Sequence, residues 1–146
     1  MLDRPLFTGS SEHSLDDKGR LVVPARFRER LGPGFFLTIP EPDPCLAIFP
    51  ASIWAEICAK IEAATVKDAE HRDFVRRFFA NTEELSVDGN GRLVIPAAMR
   101  AYAGLEKDVV SIGAQNRVEL WAKERYEKHA RAHASGRDFI SELGLF

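Results

Sequence analysis

Asp16-Asp17-Lys18-Gly19-Arg20-Leu21-Val22-Val23-Pro24-Ala25-Arg26-Phe27-Arg28 recurs as Asp88-Gly89-Asn90-Gly91-Arg92-Leu93-Val94-Ile95-Pro96-Ala97-Ala98-Met99-Arg100, each residue 72 positions (88 − 16) further along. The chain is one unit written twice, so any turn built by the first copy is built again by the second. Repeated charge at fixed spacing suits a repeated ligand such as a nucleic-acid duplex.

Before the turn, Glu12 to Leu15 reads as a short strand; after it, Arg20 to Val23 reads as another, and Asp16-Asp17-Lys18-Gly19 is the hairpin connection. Asp at the first turn position can accept from the backbone N–H two residues on, and Gly at the last supplies a positive φ that a Cβ resists. The second copy, Asp88-Gly89-Asn90-Gly91, is richer still in residues that tolerate left-handed geometry. Pro24 and Pro96 then open short helices that close at Gly32 and Gly104. Phe27 with Leu31, and Met99 with Ala103, stand at i, i+4 and give each helix an apolar stripe.

Further out, Phe35-Phe36-Leu37-Thr38-Ile39 matches Asp108-Val109-Val110-Ser111-Ile112 after a one-residue slip, and Leu46-Ala47-Ile48-Phe49 matches Val118-Glu119-Leu120-Trp121. These are two more strands per copy, separated by turn-rich loops. A unit of about 40 residues is too small to bury both faces of its own hairpins, which two copies interlocked into one barrel would solve. Ile53, Trp54, Ile57 and Ile61 then space as the apolar face of a helix opened by Pro50, and Phe74, Val75, Phe78 and Phe79 as that of a second. A polar helix follows from about Lys123 to Ala134, and the chain ends on the apolar stretch Phe139 to Phe146. The expected organisation is therefore repeat 1 over 7–53, a helical arm over 54–82, repeat 2 over 83–126, and a C-terminal helix and tail over 127–146.

The composition sets limits. A chain of 146 residues, 45% hydrophobic, can bury a real core. No apolar run approaches the roughly 20 residues of a membrane span, and the start lacks a secretory signal, so a cytoplasmic protein with no membrane partner is expected. Cys45 and Cys58 lack metal spacing and read as buried free thiols. The net charge of −2 argues against binding nucleic acid through bulk electrostatics. Local segregation remains available: Lys18, Arg20, Arg26, Arg28 and Arg30 crowd the first repeat, while Asp68, Glu70, Asp73, Glu83 and Glu84 gather between repeats.

Turn chemistry explains Asp and Gly in both copies but makes no demand for Arg20 and Arg92. A guanidinium fork on a protruding hairpin can contact guanine O6 and N7 together, with Asp16 or Asp88 holding it in place, and a two-stranded ribbon fits the major groove. Arg26, Arg28 and Arg100 follow on the helices, where phosphate contact and plain solvation are equally good readings. His129 and His133 have two-ligand helical spacing, but no completing Glu or Cys stands near, so no metal is assigned. Phe74, Phe78, Phe79 and Trp54 fit a core or subunit interface better than a base-stacking platform. Neither repeated block contains a histidine, a Gly-x-Ser-x-Gly elbow or a phosphate-cradling loop, so neither an enzyme nor a cofactor is expected.

Phe7-x-Gly9, Ser14-Leu15-Asp16-x-Lys18-Gly19-Arg20-Leu21, Pro24-Ala25-x-Phe27-Arg28 and Arg77-Phe78-Phe79 together carry a resemblance. Asp88-x-x-Gly91-Arg92-x-Val94-Ile95-Pro96, Arg100-x-Tyr102-Ala103-Gly104-Leu105 and Val118-Glu119-Leu120-Trp121 continue it. On these motifs, covering nearly the whole chain, it closely resembles the MraZ family of bacterial transcriptional regulators, built from two SpoVT-AbrB-type domains. The resemblance implies an α+β fold, an AbrB-like swapped-hairpin β-barrel from two internal repeats with added helices, and ring-like assembly of many copies. It implies sequence-specific binding to direct repeats in double-stranded DNA upstream of the chain's own gene, at the head of a division and cell-wall gene cluster, mainly as a repressor. A cytoplasmic, nucleoid-associated homo-oligomer follows. Recognition would fall on Asp16 with Arg20 and on Asp88 with Arg92. Lys18 matches the family's first motif, whereas Asn90 stands where the second has a lysine, leaving the second turn weaker in charge. The alternatives are an AbrB-like antitoxin, against which the arm between the repeats and the lack of a long disordered tail argue, and a purely structural oligomer whose turns stay solvated.

Overall fold

A computed structural model describes residues 4–146. Its elements run β1 (Ser10–Ser14), β2 (Arg20–Val22), α1 (Ala25–Leu31), β3 (Phe35–Thr38), β4 (Leu46–Pro50), α2 (Ala51–Ala63) and α3 (Ala69–Ala80). They continue as β5 (Glu83–Leu85), β6 (Arg92–Val94), α4 (Ala97–Ala103), β7 (Asp108–Gly113), β8 (Val118–Ala122), α5 (Lys123–Ala132) and α6 (Arg137–Glu142). The α+β class that the resemblance implies is what the chain adopts.

The pairing of the strands differs from two simple hairpins. In the first copy β1 and β2 meet only at a Leu15–Leu21 bridge; β1 instead pairs antiparallel with β7, and β2 pairs antiparallel with β6 of the other copy. The six-stranded sheet runs β1-β7-β8-β4-β3-β5, and β2-β6 forms a separate two-stranded ribbon. Hydrogen bonding does not close these strands into one barrel: β1 and β5 are the two edges of the larger sheet. The physical reason lies in how short the central strands are. At three residues each, confined between a turn and a proline that has no N–H, β2 and β6 can form little ladder of their own. Each finds its partners in its duplicate, which has the same length and the opposite direction.

Both central pairings are symmetric under the repeat offset. Leu21 faces Leu93 at the middle of the ribbon, and Ala47 faces Glu119 at the middle of β4-β8. The two copies thus interleave about a common pseudo-twofold. Helix α5 begins 72 residues (123 − 51) after α2, so the same offset reaches past the strands into the helices.

Alternation along the strands sorts side chains to two cores. Phe35, Leu37, Leu46, Ile48, Val109, Val118 and Leu120 of the sheet meet Leu21 and Leu93 of the ribbon, together with Phe27, Leu31, Met99 and Ala103 from α1 and α4. The i, i+4 stripes of the two short helices are therefore core. Pro24 and Pro96 stand at the entries of these helices, and Gly32 and Gly104 close them at positive φ. On the other face of the sheet, Ala47 and Phe49 pack against Ile53 and Trp54 of α2. Trp54 stacks between Phe36, at 5.1 Å, and Phe78 of α3, at 5.5 Å.

Helix α3 is N-capped by Asp68, whose carboxylate accepts from His71 N at 2.9 Å, but none of its residues is buried. Phe74 and Phe79 remain exposed, as do Phe139, Leu143, Leu145 and Phe146 of the C-terminal stretch. Among the described residues no helix is long and apolar enough to cross a membrane. Cys45 is buried and Cys58 half-buried, both as free thiols, and burial raises the Cys45 thiol well above its ordinary value.

Candidate nucleic-acid interface

The two turns have the same internal wiring. In the first, Asp16 O accepts from Gly19 N at 3.1 Å, and Asp16 Oδ1 accepts from the backbone N–H of Lys18 at 2.9 Å and of Arg20 at 2.8 Å. In the second, Asp88 O accepts from Gly91 N at 3.0 Å, and Asp88 Oδ1 from Asn90 N at 2.8 Å and Arg92 N at 2.9 Å. Gly19 at φ +76 and Gly91 at φ +73 provide the left-handed corner. One carboxylate oxygen thus ties down the turn, and the other is free for the arginine.

That second oxygen braces the guanidinium. Arg20 Nε donates to Asp16 Oδ2 at 2.6 Å and Arg92 Nε to Asp88 Oδ2 at 3.0 Å. Among the described residues, the Nη groups of both arginines make no hydrogen bond, so each fork is held by its base with its tips open. The arginine backbone N–H, first among the causes, holds both carboxylates below the ordinary aspartate value, so they stay charged and acceptor-only at neutral pH.

The ribbon brings the two turns together. Arg20 lies opposite Val94 and Val22 opposite Arg92, so with Leu21 and Leu93 buried beneath, both arginines project from the same outer face. Diagonal neighbours in such a pair stand about 7–8 Å apart. Val23 N donates to Gly91 O and Ile95 N to Gly19 O, tying each turn to the opposite strand.

Of the helix arginines singled out from the sequence, two join this cluster. Arg28 lies over Gly91 and Arg100 over Gly19, each copy's helix covering the other copy's turn; a Cβ on Gly91 would overlap Arg28 Nη1, and one on Gly19 would lie 2.8 Å from Arg100 Cζ. Arg100 Nε also donates to Ile95 O at 3.0 Å. Arg26 is committed elsewhere: its Nη2 donates to Ser10 O and Ser11 Oγ, both at 2.8 Å, and its guanidinium sits over the Phe27 ring. Lys18 and Asn90 are exposed at corresponding turn positions. His129 and His133 stack on each other at 4.1 Å, and among the described residues no group of three or more His, Cys, Asp or Glu could hold a metal ion.

The cross-copy packing predicts unequal effects at two glycines in one turn. Gly91→Ala should lower stability by about 1–2 kcal/mol for the left-handed φ alone, and should displace Arg28. Gly89→Ala, in open space and without a positive φ, should leave stability unchanged or raise it by up to about 1 kcal/mol. Denaturant unfolding of the two variants checks the contrast.

The tertiary structure gives His13 two partners. Its Nδ1 lies 3.0 Å from Val22 O and its Nε2 is hydrogen-bonded to Ser111 Oγ, linking the ribbon to β7. A carbonyl only accepts, so Nδ1 carries the proton and Nε2 accepts from the serine hydroxyl. Burial, opposed in part by the Val22 bond, lowers the imidazole below its ordinary value. A folded-state value below the unfolded one means the unfolded chain binds more protons between the two. The contribution of neutral His13 is therefore full above about pH 6.5 and declines as the pH falls below it. Melting at pH 7.5 and 5.5 should show this loss in the native chain and a smaller one in His13→Gln.

Two interleaved copies of one α+β unit, with a pair of carboxylate-braced arginines on one face of a shared ribbon, define an internally duplicated module. A family model described as "MraZ protein, putative antitoxin-like" matches residues 6–77 and again residues 78–139. The chain is 40% identical to the "Transcriptional regulator MraZ" of Moorella thermoacetica over 137 residues, which is 94% of this chain and 95% of that one. It is 44% identical to that of Desulforamulus reducens, covering 89% of this chain and 92% of the relative, and 37% identical to that of Clostridium tetani, covering 96% and 100%. The chain belongs to the MraZ family.

Proposed function

We propose that this chain is a sequence-specific DNA-binding transcriptional regulator, mainly a repressor, acting on direct repeats upstream of its own division and cell-wall gene cluster. The observation that carries the reading is the presence of Arg20 and Arg92 on one exposed ribbon, each braced through Nε by an aspartate and open at Nη. A ribbon of two strands enters a major groove, and a guanidinium held edge-on meets guanine O6 and N7 at once. Lys18, Arg28 and Arg100 surround the turns as phosphate contacts, with Asn90 a weaker counterpart of Lys18 and Arg26 a peripheral one. The relatives' naming as transcriptional regulators supports the same function. The cross-copy strand pairing supports an AbrB-like swapped-hairpin reading, with SpoVT-AbrB repeats at 7–53 and 83–126, an arm at 54–82 and a C-terminal segment at 127–146.

A net charge of −2 requires several copies to act together. A homo-oligomeric ring supplies them by avidity, with the exposed aromatics of α3 and the apolar C-terminal stretch as natural contacts. One copy per successive major groove sets operator elements about 10 base pairs apart. A ring meeting a straight duplex must open or bend the DNA, and bending costs on the order of 1–6 kcal/mol, which makes deformability part of the specificity. The site of action is then the nucleoid, in the cytoplasm.

The test is titration of the full chain against its own upstream duplex and a scrambled one across salt concentrations. Preference for the upstream duplex, with affinity falling as salt rises, supports the reading; equal binding to both, or none, overturns it. The antitoxin-like wording of the matched family model favours a second reading. It requires a small toxin to co-purify with the chain.

A further inference from the structure

The outer face of the β2-β6 ribbon holds a two-by-two array: Arg20 opposite Val94, and Val22 opposite Arg92. The arginines occupy one diagonal and the valines the other. Val22 and Val94 are 53% and 56% exposed, at equivalent places in both copies, each directly across from an arginine. Val94, with Arg92, borders a groove lined also by Leu85 and Val87, yet both valines stay more than half exposed and so gain little from the protein's own core. The β-branched valine is stiff at χ1, so its methyls are held at a fixed position beside the fork.

The surface that suits such an array has strong acceptors next to a small apolar group. In a major groove the acceptors are guanine O6 and N7, and the apolar group is the C5-methyl of thymine. We infer that Val22 and Val94 are specificity residues that seat against thymine methyls beside the bases reached by Arg20 and Arg92. This rests on the reading of the ribbon as the DNA-facing surface and deepens it. Arginine alone selects guanine; the valine adds a demand for thymine at a neighbouring step, one contact from each copy. The unequal turns, Lys18 against Asn90, do not enter, because the four ribbon residues are identical in kind in the two copies.

The test uses the full chain and its upstream duplex, with each thymine replaced in turn by deoxyuridine, which removes only the methyl. Loss of one buried methyl is expected to weaken the native chain about four-fold at the contacted positions and nowhere else. Val22→Ala should bind the unmodified duplex more weakly by a similar factor and should no longer distinguish thymine from uracil at its own position, while Val94→Ala loses that distinction at another. Valine variants that bind as tightly as the native chain, or that keep the full thymine preference at every position, overturn the inference. If Arg20→Ala and Arg92→Ala also bind undiminished, or the native chain does not bind, the DNA-facing reading falls with it. Weakened arginine variants beside indifferent valine variants sink the valine assignment alone. Unchanged melting of the valine variants confirms an intact fold, and the uracil series requires no change in the protein.

Discussion

Arg20→Ala and Arg92→Ala are each expected to weaken binding to the upstream duplex by about 1–3 kcal/mol, roughly five- to 150-fold, and to relax base preference at one operator position. Stability should change little, because each guanidinium is partly exposed and its pairing with aspartate is a surface ion pair. The double variant should lose binding almost completely. The two sites are diagonal neighbours on one ribbon, so their effects should couple rather than add. Arg20→Lys separates reading from mere charge: lysine restores a phosphate contact but lacks the two-pronged fork, so binding that stays weak in Arg20→Lys identifies base recognition. Asp16→Asn should give a smaller loss, because the fork survives but its brace weakens. Anisotropy titrations with native and base-substituted duplexes measure all of these, and undiminished binding by both alanine variants rejects the assignment.

Leu21→Ala should be the most damaging substitution for the fold near the site. Leu21 is buried and pairs in register with Leu93 at the centre of the ribbon, over the core formed with α1 and α4. Truncating such a leucine leaves a cavity and costs about 2–5 kcal/mol. The ribbon has only three residues per strand, so there is little other ladder to hold it. Urea unfolding should show the loss directly, and DNA affinity should fall with it, since the same strand carries Arg20. Leu93→Ala should match it by symmetry. A loss below about 1 kcal/mol in both would show that the ribbon is not a structural keystone.

The duplication, the two turns and the proline-to-glycine helices were legible because each depends on residues close in the chain. Asp16 and Gly19 make their turn from local hydrogen bonds and one positive φ, and Phe27 with Leu31 declare a buried face by spacing alone. The brace from Asp16 to Arg20 spans four residues and was open to the same reasoning. The pairing was not. Local pattern shows that β1 and β2 are strands but is silent on the partner, and the nearest partner in sequence proved to be the wrong one. Arg28 over Gly91, Arg100 over Gly19 and His13 between Val22 and Ser111 join residues far apart in the chain. A glycine at the same place in each turn was the one available signal of close approach. The exposure of Val22 and Val94 was equally hidden, since valine in a strand reads as core until the ribbon's inner and outer faces are known.

Sequence by itself determined that this protein contains one unit twice, with a carboxylate and an arginine fixed four residues apart in each, because turn geometry is settled by side chains and dihedrals within a few positions. Only the tertiary structure decided that the two arginines stand on one face, because that depends on which strands exchange hydrogen bonds. Two short strands that bury a leucine each satisfy their backbones and their core together only by pairing with one another, and that pairing sets the forks side by side.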